Sequence, residues 1–174
     1  MRKLWFPVLV AIVAAIVTPA RAQDWDNKTV EKMLKDGTKK LASAKPEERE
    51  EGISYIQGYI RCSDRAKYTP ILVQSLKDTN PKVREAAVQT LEKLHATDTV
   101  ADVIPLLDDP VDDVKERALF TLGGFGPDAK SAVPAIKKLQ ASAKAAHKNG
   151  IEATTEGILD EIAGKKENKR TKCS

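Results

Sequence analysis

Apolar residues along this chain recur at three- and four-residue intervals, and no stretch alternates apolar and polar for long. Val83, Ala87, Leu91 and Leu94 fall on one helical face, and so do Val114, Ala118, Leu122 and Phe125. Ile53, Ile56 and Ile60 repeat the pattern earlier, and Ile151, Ile158, Leu159 and Ile162 repeat it later. Turn-forming residues punctuate these stretches. "KDTNP" at Lys77–Pro81 places a proline where a helix's first turn tolerates it, and "DDPVDD" at Asp108–Asp113 is its counterpart. "GGFGPD" at Gly123–Asp128 closes one helix and opens another, while "KPEE" and "HKNG" mark two further breaks. The pattern predicts eight helices, at about 25–43, 46–61, 66–76, 81–95, 98–107, 112–123, 128–143 and 151–163, grouped as four antiparallel hairpins.

Two of the hairpins share a text. "VREAAVQTL" beginning at Val83 returns as "VKERALFTL" beginning at Val114, with Leu76 matched by Leu107 and Asp78 by Asp109. A helix pair of this length cannot bury its apolar face alone, so repetition means stacking into a continuous core. The segments "PILVQSLKDTNPKVREAAVQTL" and "VIPLLDDPVDDVKERALFTL" resemble HEAT repeats, of the short kind found in bacteria and in bilin-lyase-like proteins. The likeness is strongest over residues 66–140 and looser on both sides. It implies an all-α, right-handed α-solenoid of about four HEAT-like helix pairs. It also implies a structural ladder in which turn aspartates meet second-helix cations, here Asp78 with Arg84 and Asp109 with Lys115. The Trp, Gly and Tyr landmarks of a tetratricopeptide array are absent from the sequence.

The ends of the chain are different in kind. Arg2 and Lys3, the apolar run Leu4–Val17 and the small residues Ala20 and Ala22 have the form of a secretory signal peptide over residues 1–22. That leaves 23–164 as the repeat domain and 165–174 as a basic, disordered tail, in a periplasmic or secreted protein. The competing reading is an uncleaved membrane anchor; the apolar run is somewhat short for a span and the A-x-A site favours removal, and no stable insertion is expected after cleavage. Loss of Arg2, Lys3 and Arg21 lowers the net charge from +4 to +1. The tail "KKENKRTKCS" carries five basic residues and one acid, which leaves the body near −3. A nucleic-acid partner is therefore not expected, and the tail offers at most a weak contact with an anionic surface. Export permits disulfides, and the two cysteines, Cys62 and Cys173, could be bridged within the chain, bridged between chains, or both reduced.

No catalytic constellation accompanies the repeats. His95 and His147 form no helical metal pair, and the His-Glu dipeptides from which some HEAT proteins build a di-iron site are missing. The acids Asp108, Asp109, Asp112 and Asp113 lack the glycine and distant glutamate of an EF-hand loop and read as helix N-terminal acids. There is no G-x-S-x-G, Ser-x-x-Lys or phosphate-binding glycine loop. No cofactor and no enzyme activity are expected, with a bilin-lyase-like enzyme or accessory subunit, or anion binding by the tail, as alternative readings. Trp25, Tyr55 and Tyr59 read as a cap on the first layer. By the family pattern the second helices line the concave face, which places Lys82, Glu85, Gln89, Glu116 and Phe120 there as candidates for binding a protein partner. Phe120 stands where the preceding repeat has Gln89, a change that stacking does not require.

Overall fold

The computed structural model describes residues 26–146 and 149–165, and among these it contains helices and turns but no strand. Eight α-helices follow one another: α1 Asn27–Leu41, α2 Pro46–Tyr59, α3 Arg65–Ser75, α4 Pro81–Lys93, α5 Val100–Val103, α6 Asp112–Phe125, α7 Val133–Ala145 and α8 Asn149–Ile162. They form an α-solenoid of four layers, with α1, α3, α5 and α7 as first helices and α2, α4, α6 and α8 as second helices. The second helices pack in series, α2 on α4, α4 on α6 and α6 on α8. The expected signal peptide at 1–22, Trp25, His147 and most of the basic tail lie outside the described residues.

The faces expected to be apolar are the ones that are buried. Val83, Ala87, Leu91 and Leu94 of the second layer, and Val114, Ala118, Leu122 and Phe125 of the third, are all at most 1% exposed. Ile53, Ile56 and Ile60 join them from below, and Ile151, Ile158 and Ile162 from above, in one continuous core. Leu159 packs against that core while remaining partly exposed.

Two expected first helices are shorter than their apolar pattern. The segment foreseen as a helix at 98–107 holds only the single α-turn Val100–Val103, flanked by 3-10 turns at Thr97–Thr99 and Ile104–Asp108. Pro105 has no N–H to give the fourth preceding carbonyl, and its ring clashes with that carbonyl, so the helix tightens where the proline enters. The segment foreseen at 128–143 begins as a 3-10 stretch, Gly126–Ala132, and becomes α-helical at Val133. Gly126, with φ 60°, makes the turn between α6 and that stretch.

The first layer closes by a different device. A Cβ on Gly37 of α1 would lie 2.8 Å from the Gly52 carbonyl oxygen of α2, and one on Gly52 would lie 2.7 Å from the Gly37 carbonyl oxygen. The two backbones touch, and backbone cannot move aside as a flexible side chain can. Gly52→Ala should therefore destabilise the domain by about 2 kcal/mol, the range of an overpacked core site. Urea denaturation checks this, with the equally helical but open position Gly58→Ala as the control expected to lose nothing.

Candidate functional site

Where each layer turns from its first helix to its second, position matters relative to the second helix's first residue. Three residues before it stand Ser43, Asp78, Asp109 and Ala146, and three residues after it stand Arg49, Arg84, Lys115 and Glu152. The arginines of the first two layers each do two things. Arg49 Nη1 donates to the carbonyls of Ser43 and Ala44 in its own turn, at 3.2 and 3.1 Å. Arg84 Nη1 donates in the same way to the carbonyls of Asp78 and Thr79, at 2.8 and 3.3 Å. The rest of each guanidinium reaches forward to the next layer. Arg49 grips the Asp78 carboxylate from Nε and Nη2 at 2.7 and 2.9 Å, and Arg84 grips Asp109 at 2.7 and 2.8 Å. Each gripped carboxylate also accepts an amide hydrogen bond two residues on, from Asn80 or Val111. These two-point contacts are the geometry at which an arginine fork is strongest.

The expected ladder is thus present with a different register. Asp78 serves Arg49 of the preceding layer, and Arg84 meets its own turn through backbone carbonyls while its fork holds Asp109 of the layer that follows. Lys115 donates to Asp112 at 2.7 Å instead of to Asp109, because an ammonium has no fork to reach across the layer and the next turn carries Ala146. Arg49 was missed from sequence, although its place three residues after Pro46 matches that of Arg84 after Pro81. Burial pushes the Asp78 and Asp109 carboxyls up. The Arg49 and Arg84 hydrogen bonds, the Asn80 and Val111 amides and the nearby cations outweigh this and hold both below the usual carboxylate range. Three of the four acids in the cluster form ion pairs: Asp108 with Lys138, Asp109 with Arg84 and Asp112 with Lys115. No group of three or more His, Cys, Asp or Glu among the described residues could hold a metal ion.

The candidate partner-binding residues lie on α4 and α6. Glu85 is the hub of the charged part, 3.9 Å from Lys82 on its own helix and 3.8 Å from Arg117 on α6. Arg117 was not foreseen, since it lies one position beyond Glu116 and the helical pattern alone does not aim it at α4. Gln89 is half-buried and accepts a 2.7 Å hydrogen bond from the Gln57 side chain of α2, an amide contact between neighbouring layers. Lys93 extends the same seam by donating to the Gln57 carbonyl at 2.8 Å, and burial lowers its ammonium pKa. Glu116 is half-buried. On α6 the position matching Gln89 is Phe120, at 38% the one exposed large apolar side chain among the described residues. On α8 the matching position is Gly157, where an added Cβ would meet only open space. On the other side of the stack, a cleft of about 690 Å³ separates α1 from α3, lined in part by Thr38, Leu41, Ile71 and Asp78. It presents no exposed large apolar side chain.

Asp109 is the most buried member of a rung, and its folded pKa is depressed. Its contribution is therefore complete above the unfolded aspartate pKa and disappears as pH falls through the lower folded value. Asp109→Asn should cost about 3 kcal/mol at pH 7, since Arg84 then keeps a buried charge without its counter-ion. Urea denaturation repeated at pH 7 and at about pH 3 should show the gap between variant and parent narrowing in acid. The missing rung can also be supplied. Lys115→Arg combined with Ala146→Asp should raise stability by about 1 kcal/mol, more than the two single changes together.

The HEAT-repeat profile matches the chain twice, over residues 38–123 and 69–153, and the two matches together cover more than half of it. No curated protein matches the chain. The matched span contains both rung arginines, both rung aspartates and every candidate partner-binding residue, and the chain belongs to the HEAT-repeat family.

Proposed function

We propose that this chain is an exported, non-enzymatic scaffold that holds a protein partner on the face of its second helices, centred on Phe120. HEAT repeats generally serve as protein-interaction scaffolds. The observation that carries the reading to this face is Phe120 itself. A polar row linked by the Gln57–Gln89 amide contact gives way on α6 to an exposed aromatic ring, and the matching position on α8 is a glycine, Gly157. Aromatic anchors ringed by polar groups account for most of the energy of typical protein interfaces. On α6 the polar residues one turn before Phe120 are Glu116 and Arg117, and Arg117 continues the charged group to Glu85 and Lys82 of α4. Export rests on the leader-like first 22 residues. No helix among the described residues is long and apolar enough to cross a membrane.

The test places a photo-crosslinking residue at position 120 in living cells and, as a control, at Lys67 on the first-helix side. A partner cross-linked only from position 120 and identified by mass spectrometry can then be titrated against purified protein. Phe120→Ala should weaken its binding by about tenfold or more, equal to at least about 1.4 kcal/mol, with the helical circular dichroism and Tm unchanged. Equal cross-linking from both positions, or unaltered affinity in Phe120→Ala, removes this face from consideration. N-terminal sequencing of the protein recovered from the cell envelope tests export separately, with Gln23 the expected first residue.

A further inference from the structure

We infer that the outward face of α1, a row of four lysines, is a docking surface for an anionic phospholipid membrane. The row is Lys28, Lys32, Lys35 and Lys39. With 3.6 residues to the turn these positions fall within an arc of about 60°, and at 1.5 Å per residue the row runs for about 16 Å. Val30, Leu34 and Gly37 on the opposite side of the helix are buried, so the lysines point away from the protein, and all four are exposed. A surface helix ordinarily neutralises such lysines with acids three or four positions away. The acids of α1 are Glu31 and Asp36, yet no lysine of the row forms an ion pair with a described residue. The lysine of α1 that does is Lys40, which lies off the row and meets Glu51 of α2 at 2.7 Å.

Charge is divided unevenly across the first layer. α1 has five lysines against two acids, whereas α2 has Glu47, Glu48, Glu50 and Glu51 against Arg49. An anionic surface therefore attracts the α1 side of the layer and repels the α2 side, which orients the approach. Lys67 of α3 extends the cationic patch. It joins Lys35 and Lys39 around a cleft of about 610 Å³ whose lining includes Tyr68 and Ile71, and its ammonium lies 5.2 Å from the centre of the Tyr68 ring. The residue types favour a membrane over an acidic protein. The row is lysine alone, a point charge on a flexible stem, with no arginine fork for two-point recognition of a carboxylate. It also lacks an exposed large apolar side chain to anchor a folded partner, since among the described residues that feature belongs to Phe120 on α6. A diffuse layer of lipid phosphates needs neither feature, and each lysine brought near it multiplies the affinity about fivefold. The patch uses first helices and Phe120 sits on a second helix, so the two surfaces share no residue.

Vesicle co-sedimentation of the purified mature chain, starting at Gln23, tests the inference at low ionic strength. The chain should bind vesicles of phosphatidylglycerol mixed with phosphatidylcholine, should ignore phosphatidylcholine alone, and should be released by about 0.5 M salt. Lys32→Gln, Lys35→Gln and Lys39→Gln together should weaken binding about a hundredfold. Helical circular dichroism should stay unchanged, because glutamine forms helices as readily as lysine. The same three positions changed to arginine should keep the binding. As a control for net charge, Lys130→Gln, Lys137→Gln and Lys144→Gln remove three exposed lysines from the fourth layer. That control should lose about threefold at most, the share of long-range attraction left after screening. A parent chain that binds no vesicle, equal losses in the two glutamine triples, or binding that survives the α1 changes overturns the inference. So does retention on immobilised polyglutamate without binding to vesicles, which would assign the patch to an acidic protein. No partner protein enters the assay, so failure here leaves the scaffold reading standing, and failure of that reading leaves this one standing.

Discussion

Each helix pair in this protein has apolar surface on both sides and can cover only part of it within itself, so every layer depends on the next. Hydrophobic burial supplies the drive but little direction, since helices packed on helices can slide and rotate at modest cost. Direction comes from the turn. A guanidinium that closes the carbonyls of its own turn is held in place before it reaches forward, and its fork accepts the following aspartate in one orientation. The aspartate is in turn fixed by an amide of its own loop. Removal of any of these contacts leaves a buried charge or carbonyl behind, so the rung specifies the register more than it adds to the total stability.

The ladder changes at the outermost described turns. In the α1–α2 turn Ser43 stands in place of an aspartate and keeps the local cap by accepting from the Lys45 amide, with no arginine among the described residues placed to grip a carboxylate there. The last turn has Ala146, and the third-layer cation is a lysine that turns back to Asp112. The two glycines at the α1–α2 crossing hold that layer together by a different contact, backbone against backbone.

Much of this was legible in the residues. The 3.6-residue period gave the helices and their buried faces, and the repeat from Val83 to Val114 gave the layers. The rung residues Asp78, Arg84 and Asp109 were visible too, but not who holds whom. An offset of six residues within a turn looks like a pair, and only the fold shows that the side chain spans to the next layer while the backbone closes the near contact. The shortening of α5 was foreseeable from Pro105, whose effect was outweighed in the reading by a regular apolar pattern. The candidate surface was legible as a departure from the repeat at Phe120. Its neighbours Arg117 and Gln57 were not, because their roles depend on how adjacent helices are rotated against each other.

The central claim is that the forward grip of Arg84 on Asp109 couples two layers. A double-mutant cycle of Arg84→Ala, Asp109→Ala and the double variant, read by urea denaturation at pH 7, tests it most directly. The account predicts a coupling of about 2–3 kcal/mol, with the double variant more stable than the sum of the single losses implies. Strictly additive losses would contradict it, and would leave apolar packing alone to hold the layers in register.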